Sequence, residues 1–291
     1  MSLEIVRYES ERFYWDPSAS KSRLFPSISN RASLSLTVIV PAKDEEERLP
    51  AMMADCLAYL KDRVRREPRF TWEIIIVDDG STDGTRALAH KYSEEESTER
   101  VRVLGLECNR GKGGAVRLGC LAARGRLLLF ADADGATTFA DFEKLEQSLQ
   151  ALDTSWAIAV GSRAHLEKEA IAQRSLFRTL LMKGFHFLVW LFAVRSVRDT
   201  QCGFKLFSRD AAKVLFGNLH VERWAFDVEL LYLAERLRIP IVEEAVRWRE
   251  IEGSKITPVL SWLQMGRDLF LIWLWYFLGV WTVVPDPPVD F

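Results

Sequence analysis

The sequence predicts an α/β protein with a mainly parallel sheet flanked by helices. The first observation is an unbroken apolar run, Ile74, Ile75, Ile76 and Val77, in the segment EIIIV. Short β-branched runs of this kind are typical of strands buried on both faces of a parallel sheet. The second observation is that such runs alternate with helix-like segments through the first half of the chain, a pattern that predicts right-handed βαβ units.

Five strands and four helices are predicted in this half. The strands are LTVIV from Leu36, EIIIV from Glu73, VRVLGL from Val101, LLLFA from Leu127 and AIAV from Ala157. The helices are predicted at about 45–65, from about Gly84, from Gly113, and between the fourth and fifth strands. Beyond Gly161 the pattern changes to long apolar or amphipathic helices at about 170–194 and 224–238, with a short strand near IPIVEEAVRW.

Composition narrows the class of protein. The chain has 291 residues, 48% of them hydrophobic and 27% charged, which suits a folded protein with a substantial core. Because 39 Lys and Arg residues nearly balance 41 Asp and Glu residues, no basic field indicates nucleic-acid binding. The four cysteines lie far apart, without the spacing of a zinc site or a disulfide framework, which favours a reducing compartment. The segment MSLEIVRYESERFYWDPS contains no apolar run, so we expect neither a secretory signal nor a membrane anchor in it.

The segment LFLIWLWYFLGVWTVV at 269–284 contains no charged residue. It is shorter than the roughly 20 residues that a helix needs to cross a bilayer. Trp273, Trp275 and Trp281 suit a membrane interface, where an aromatic ring has one apolar and one wet side. The segment LLMKGFHFLVWLFAV at 180–194 is compatible with a core helix or with a second interfacial helix. We expect the C-terminal helices to contact a membrane surface or to form a homodimer interface.

Polar clusters follow four of the predicted strands. They are PAKDEEE at 41–47, DDGSTDGT at 78–85, NRGKGGA at 109–115 and DADGAT at 132–137. In open α/β sheets, ligands bind in the crevice outside the carboxyl ends of the strands. We therefore expect these four clusters to surround one ligand site.

The residue types in these clusters indicate a nucleotide and a metal ion. Asp132 and Asp134 are two residues apart after a buried strand and suit a hard divalent cation, which would neutralise a diphosphate. Asp78 and Asp79 repel each other unless donors satisfy them, and a nucleoside offers base N–H and ribose hydroxyl groups. Lys112 lies among glycines at a predicted helix start, an arrangement that favours anions. Acids that only cap turns, and a solvated lysine, remain the alternatives.

A resemblance to a known family adds to this interpretation. The segments VIVPAKDEE, IIIVDDGSTDGT, NRGKGGA, ADADGAT, GSRAH and DTQCGFKLF together resemble family 2 glycosyltransferases of the GT-A fold. The segments RAHLEKEAIAQRS, DTQCGFKLF and ERWAFDVELLYLA resemble in particular the members that glucosylate dolichyl phosphate. The resemblance implies an inverting transfer from UDP-glucose to dolichyl phosphate, with Mg²⁺ or Mn²⁺. It also implies a role in N-glycan precursor assembly at the cytosolic face of the endoplasmic reticulum membrane.

The resemblance also implies a set of site residues. The residues expected at the donor are Pro41, Ala42, Glu45, Asp78, Asp79, Lys112, Gly113, Asp132, Ala133, Asp134 and Gln201. The residues expected at the acceptor phosphate are Arg163, Arg174, Arg178, Ser254 and Lys255. Asp132 and Asp134 are expected to bind the metal ion, and these two acids with Arg163 are expected to carry catalysis. Guanidinium groups suit the acceptor because they bind phosphate in a bidentate manner.

Domain boundaries and rival functions complete the expectations. We expect an N-terminal extension at 1–34, a GT-A catalytic domain at 35–255 that includes an apolar helix at about 176–194, and C-terminal interfacial or dimerisation helices at 256–291. Members of the family usually begin with a membrane-spanning helix, and none is predicted before Ser35, so anchoring by a single span stays open. The rivals are a mannosyltransferase that uses GDP-mannose, another polyprenyl-phosphate glycosyltransferase, and a membrane-surface scaffold. A nucleotide-binding Rossmann protein without transfer chemistry is less favoured, because no G-x-G-x-x-G follows the first strand.

Overall fold

The fold is built on one large sheet. The computed structural model describes residues 7–166, 184, 196–251, 258–285 and 287. The strands are β1 (Phe13–Asp16), β2 (Lys21–Leu24), β3 (Leu34–Ala42), β4 (Trp72–Asp78), β5 (Val101–Gly105), β6 (Gly125–Ala131), β7 (Ile158–Ser162), β8 (Phe204–Ser208) and β9 (Ile241–Ala245). The seven strands β3 to β9 form the sheet in the order β5-β4-β3-β6-β8-β7-β9, whereas β1 and β2 form a separate hairpin. Neighbouring strands are parallel except at β8, which runs antiparallel to both β6 and β7.

Helices cover both faces of this sheet. The described α-helices are α1 (Leu49–Arg66), α2 (Thr85–Glu96), α3 (Lys112–Leu121), α4 (Phe142–Ala151), α5 (Arg209–Asn218), α6 (Phe226–Arg236) and α7 (Pro258–Phe277). Buried residues of α1 and α4 pack with Val38 and Val40 on one face. Buried residues of α3, α5, α6 and α7 pack with Ile39 on the other face. Successive residues of β3 thus point to opposite helical layers, as expected for a strand buried on both sides.

The predicted α/β class and the mainly parallel sheet are confirmed. Strand β8, helix α5 and the β1–β2 hairpin were not predicted. In β8, the apolar pattern is interrupted by Lys205, which is 0% exposed. The hairpin is short and its second strand is exposed throughout, so it lacks the alternation that identifies a strand. The apolar helix predicted at about 170–194 lies outside the described residues apart from Gly184, and the predicted domain boundaries stay predictions.

The topology brings several loops to one edge of the sheet. The carboxyl ends of the parallel strands β3, β4, β6 and β7 all lie at this edge. Because β8 is antiparallel, its amino end at Phe204 pairs with the last residue of β6, Ala131. The loop before Phe204 therefore reaches the same edge as the four strand ends.

Helix α7 packs on the sheet domain and exposes an apolar outer face. Met265, Leu269, Ile272 and Tyr276 are buried at helical spacing. The Tyr276 hydroxyl donates to the Glu229 carboxylate at 2.9 Å, which joins α7 to α6. Large apolar side chains remain exposed on α7 and beyond it, namely Phe270, Phe277, Leu278, Val280 and Val284. Among the described residues, no helix combines the length and hydropathy needed to cross a bilayer.

Candidate active site

A cavity of about 460 Å³ opens at the edge where the strand ends meet. It is lined by most of the predicted site residues: Pro41, Ala42, Glu45, Asp79, Lys112, Asp132, Ala133, Asp134, Arg163 and Gln201. The expectation that the four polar clusters surround one site therefore agrees with the geometry, since each cluster contributes to the wall. Arg174, Arg178, Ser254 and Lys255 lie outside the described residues, and their acceptor roles stay predictions.

Two predicted donor residues do not reach the cavity. Asp78 is fully buried, and it accepts hydrogen bonds from Arg86 Nε at 2.5 Å and from the Ser81 amide at 3.2 Å. Arg86 also donates to the Leu106 carbonyl, so Asp78 ties the end of β4 to the end of β5. The expected pair of nucleoside-facing acids is thus reduced to Asp79. Adjacent residues of an extended segment point to opposite sides, and the sequence does not tell which one faces out.

Gly113 is the second predicted donor residue that is displaced from the cavity wall. A Cβ atom at this position would lie 2.5 Å from Cβ of Phe226. The glycine therefore permits close packing of α3 against α6, and it is not among the residues that line the cavity. Its neighbour Lys112 does line the cavity.

Asp79 is clamped by the loop that follows β5. Its carboxylate accepts hydrogen bonds from the Arg110 amide at 2.7 Å and from the Gly111 amide at 2.9 Å. Gly111 has a φ of +90°, and a Cβ atom there would lie 2.7 Å from the Glu222 carbonyl oxygen, so glycine is required at this turn. Burial raises the pKa of Asp79 to about 6, although the two amides and Lys43 oppose this rise. At neutral pH the Asp79 carboxylate is therefore mostly ionised and can accept hydrogen bonds from a nucleoside.

Asp132 and Asp134 lie at the end of β6 beside Lys112. The Asp132 amide donates to the Gly203 carbonyl at 3.0 Å, and the Asp134 carboxylate accepts from the Ala136 amide at 2.9 Å. Burial and then the neighbouring Asp132 raise the pKa of Asp134. A cation placed between the two carboxylates would favour their ionised forms and so oppose this rise in pKa.

Lys112 forms an ion pair with Asp132, with Nζ 2.6 Å from Oδ1. Burial disfavours the charged ammonium, but the carboxylates of Asp132, Asp227 and Asp134 outweigh burial and raise the pKa of Lys112. Lys112 is therefore charged at neutral pH and faces the cavity. This agrees with its expected place beside an anionic ligand.

A second ion pair lies beneath the first. Lys205 Nζ is 2.6 Å from Oδ1 of Asp227 and also donates to the Cys202 carbonyl at 2.7 Å. Burial raises the pKa of Asp227 despite the opposing charge of Lys205. The ammonium groups of Lys205 and Lys112 lie 5.2 and 5.7 Å from the centroid of the Phe130 ring. Both distances are within cation–π range, so the ring lies close to both ion pairs.

Asp227 also lines the cavity, although it was not included in the set of expected site residues. Lys205, which holds Asp227, was not included either. The available signal was a charged residue inside an apolar run, in FKLF for Lys205 and in AFDVELL for Asp227. Charged side chains are almost never fully buried unless they are paired.

Arg163 directly follows β7, lines the cavity and is paired with Asp199. Its Nε and Nη2 atoms donate to the two oxygens of Asp199 at 2.7 and 2.8 Å. Its guanidinium carbon lies 5.4 Å from the Trp248 ring centroid. Burial works against ionised Asp199, but Arg163 prevails and lowers the pKa of Asp199. A phosphate acceptor would therefore meet a guanidinium that Asp199 orients and partly neutralises.

Arg223 differs from Arg163 because its side chain is exposed. It lines the cavity near Trp224, and its guanidinium group makes no hydrogen bond or ion pair with any residue that the structure describes. Arg48, by contrast, forms a bidentate pair with Glu45 through contacts of 2.7 and 2.6 Å. Neither Arg223 nor Arg48 was predicted as a site residue, because a lone arginine in a helix or loop has no distinctive pattern.

The site offers two carboxylates for a metal ion. Within the described part of the chain, no group of three or more His, Cys, Asp or Glu side chains is arranged to hold a metal ion. Asp132 and Asp134 nevertheless fit Mg²⁺ or Mn²⁺, since Mg²⁺ is usually bound by one or two carboxylates, several waters and substrate phosphates. Cys202 offers no nucleophile, because burial raises the pKa of its thiol to about 12.

Comparison with known proteins agrees with this geometry. The profile described as Glycosyl transferase family 2 matches residues 37–216. A dolichyl-phosphate beta-glucosyltransferase of Drosophila melanogaster is 61% identical, covering 96% of this chain and 86% of the relative. The enzyme of the same name from Homo sapiens is 57% identical over 95% of this chain and 86% of its own, and that from Saccharomyces cerevisiae is 43% identical over 89% and 81%.

Solved structures support the fold. The chain is similar to glucosyl-3-phosphoglycerate synthase from Mycobacterium tuberculosis in complex with Mg²⁺ and UDP, with a TM-score of 0.56 and 18% identity. The match covers 85% of this chain and 80% of that one. The same enzyme in complex with Mn²⁺, UDP and glucosyl-3-phosphoglycerate gives a TM-score of 0.54. The profile match and the high identities to its relatives show that the chain belongs to glycosyl transferase family 2 and, within it, to the dolichyl-phosphate beta-glucosyltransferases.

Proposed function

We propose that this chain transfers glucose from UDP-glucose to dolichyl phosphate and forms dolichyl β-D-glucosyl phosphate. The observation that carries the proposal is that the Asp79 carboxylate, which suits a nucleoside, and the carboxylates of Asp132 and Asp134, which suit a metal ion, line one cavity. The names of the similar proteins supply the identity of the sugar and of the acceptor.

The donor is bound along the strand ends. Asp79 accepts hydrogen bonds from the uracil or the ribose, while Pro41 and Ala42 form the adjacent wall. Asp132 and Asp134 hold Mg²⁺ or Mn²⁺, which supplies electrostatic stabilisation of the charge that develops on the leaving diphosphate. Lys112 lines the cavity and forms an ion pair with Asp132, so its ammonium group stabilises the same charge.

The acceptor needs orientation more than it needs a base. A phosphate monoester has a second pKa of about 6, so its oxygen is mostly ionised at neutral pH. This oxygen attacks the anomeric carbon from the face opposite UDP, the bond from that carbon to the diphosphate oxygen breaks, and the electron pair leaves with UDP. The configuration at the anomeric carbon is inverted. Arg163 suits the acceptor phosphate, because it follows β7, four strands away from β4 and Asp79, and brings positive charge to that part of the cavity. Arg223 lies instead beside Gly111, whose amide donates to Asp79, so it suits the donor diphosphate.

We assign the apolar outer face of α7 to a membrane surface. Met265 of α7 lines the cavity, while Phe270 and Phe277 on the same helix are exposed. A lipid-linked acceptor could thus reach the cavity without leaving the bilayer surface. We propose that the enzyme acts on the cytosolic face of the endoplasmic reticulum membrane. The same apolar face would also serve a homodimer.

Transfer from labelled UDP-glucose, UDP-galactose and GDP-mannose to a short polyprenyl phosphate tests the function. The reaction is run in detergent with Mg²⁺, Mn²⁺ or EDTA. We expect metal-dependent transfer from UDP-glucose alone. Transfer from GDP-mannose would move the protein to the mannosyl class, and no transfer with any donor would contradict the proposal.

A further inference from the structure

The N-terminal segment contains a buried acid whose partners lie about a hundred residues away. Glu11 belongs to a 3₁₀ turn at Glu9–Arg12 that precedes the family domain, and it is 1% exposed. Its carboxylate accepts hydrogen bonds from the Glu107 amide at 3.1 Å and from Arg110 Nη2 at 2.9 Å. Glu11 therefore holds two points of the loop at 106–111 that follows β5.

The opposite side of this loop holds Asp79. The amides of Arg110 and Gly111 donate to the two oxygens of the Asp79 carboxylate. Arg110 thus connects Glu11, through its guanidinium group, with Asp79, through its backbone. Asn109, Gly111 and Lys112 of the same stretch line the cavity. A shift of the loop would displace both the donors to Asp79 and a wall of the cavity.

Capping of the turn does not by itself account for the burial of Glu11. The carboxylate also accepts from the Tyr8 amide at 3.2 Å, which is a local cap that an exposed acid could provide. Glu9 in the same turn has a side chain that is 78% exposed and lies 3.8 Å from Arg12. A buried carboxylate carries a desolvation penalty unless several donors satisfy it. Two of the three donors to Glu11 belong to the loop, so the loop is the feature that Glu11 fixes.

A second contact fastens the same pair of segments. The Ser10 hydroxyl donates to the Glu107 carboxylate at 2.5 Å. Glu107 is therefore held by its amide at Glu11 and by its side chain at Ser10. Consecutive residues of the turn contact one loop residue, which limits both rotation and sliding of the loop.

We propose that Glu11 is a positioning residue of the donor site. It fixes the loop at 106–111 so that the amides of Arg110 and Gly111 meet Asp79, and the N-terminal extension thereby becomes part of nucleotide binding. This inference rests on the proposed function, since it takes the cavity to bind UDP.

The test is UDP binding by the full-length chain in the presence of Mg²⁺, measured by isothermal titration calorimetry. Glu11→Gln keeps the size of the side chain and removes its charge. Because it weakens charge-assisted hydrogen bonds to the loop, we expect UDP affinity to fall about tenfold. The Michaelis constant for the polyprenyl phosphate should stay unchanged, because Arg163, which suits the acceptor phosphate, follows β7, four strands away from β4 in the sheet. Glu9→Gln is the matched control and should bind UDP as the wild type does.

Arg110→Met gives an independent variant, because it removes the partner of Glu11 and keeps the backbone amide. We expect a similar loss of UDP affinity, and the double variant should bind no worse than either single one. If Glu11→Gln does not fold, Arg110→Met carries the test alone.

The outcomes separate this inference from the proposed function. A wild-type chain that does not bind UDP would contradict the proposed function itself. A wild-type chain that binds UDP, with Glu11→Gln indistinguishable from Glu9→Gln, would overturn the positioning role alone. An equal loss of donor and acceptor use in Glu11→Gln would also overturn it, because that pattern indicates a general structural defect.

Discussion

Gly203 offers a direct test of whether the position of Asp132 controls catalysis. A Cβ atom at this position would lie 1.9 Å from Oδ2 and 2.2 Å from Cγ of Asp132. Ordinary van der Waals contact begins near 3.4 Å, so Gly203→Ala must displace the carboxylate by about 1.5 Å. Gly203 has no positive φ, and the alanine backbone is therefore not strained.

The displacement should affect activity far more than stability. A shift of about 1 Å in a catalytic group can reduce the rate about a hundredfold. We expect kcat/KM for UDP-glucose to fall by about this factor in Gly203→Ala, with a smaller loss of affinity for UDP and Mg²⁺. The melting temperature should change little, since the three atoms nearest to the added methyl group all belong to the Asp132 carboxylate, which lines the cavity.

Gly105→Ala is the matched control. The three atoms nearest to its Cβ atom would all belong to the guanidinium group of Arg86, the closest at 3.2 Å, and a shift of a few tenths of an ångström in this side chain makes room. Transfer rates are measured with both variants under donor-limiting conditions. Activity of Gly203→Ala at the level of Gly105→Ala would refute the assignment of Asp132 to the reaction centre.

Three further predictions concern other charged groups of the site. Lys205→Met leaves Asp227 buried without its partner, so it should lower the free energy of unfolding by about 3–5 kcal/mol, and the double variant Lys205→Met/Asp227→Leu should recover most of this loss. Denaturant unfolding measures the stability of both variants. Equal stability of Lys205→Met and the wild type would contradict a stabilising ion pair. Asp79, whose pKa of about 6 is raised by burial and by Asp78 and lowered by Lys43 and two amides, should bind nucleoside best when ionised, so uridine affinity should fall as the pH drops below about 6. The same raised pKa has the opposite sign for folding, since the protonated carboxyl adds stability below its unfolded pKa and this contribution is lost as the pH rises through about 6. Uridine carries no phosphate that titrates in this range, so the fall in uridine affinity should disappear in Asp79→Asn. If the affinity of the variant still falls below the same pH, a group other than Asp79 is responsible. Arg223 is exposed and lines the cavity beside Gly111, whose amide donates to Asp79. Arg223→Gln should therefore lower UDP affinity about tenfold through loss of a charge-assisted hydrogen bond, with the Michaelis constant for the polyprenyl phosphate unchanged. Arg267→Gln, which removes an exposed arginine paired with Asp268, is the control, and a rise in that Michaelis constant without loss of UDP affinity would place Arg223 at the acceptor.

The strand-end clusters could be predicted from the sequence because their signal is local. Asp132 and Asp134 follow a buried strand directly, and Lys112 stands among glycines at a helix start. The class of fold follows from the alternation of apolar strands with helices, and the position of the cavity follows from these clusters, since parallel strands end at one edge. Eight of the ten predicted residues that line the cavity belong to the four clusters.

The contacts that the sequence did not reveal are those between distant segments. Asp78 and Asp79 are adjacent and chemically identical, yet only the partners Arg86 and Arg110 decide which one faces the ligand. Glu11 acquires its role from a loop about a hundred residues away. Pairing between such segments depends on the tertiary fold, and no periodicity within one segment encodes it.

The distribution of charge suggests how two anionic substrates meet. The cavity floor contains the carboxylates of Asp132, Asp134 and Asp227 and the ammonium groups of Lys112 and Lys205, so the carboxylates outnumber the cations there. This excess negative charge favours a divalent cation and disfavours a bare phosphate. Arg163, which suits the acceptor, lies instead on the cavity wall after β7 and pairs with Asp199, not with a floor carboxylate. A diphosphate is therefore accepted at the floor only together with its metal ion, whereas a phosphate monoester is attracted to Arg163. This separation keeps the acceptor from occupying the donor position and orients it towards the anomeric carbon.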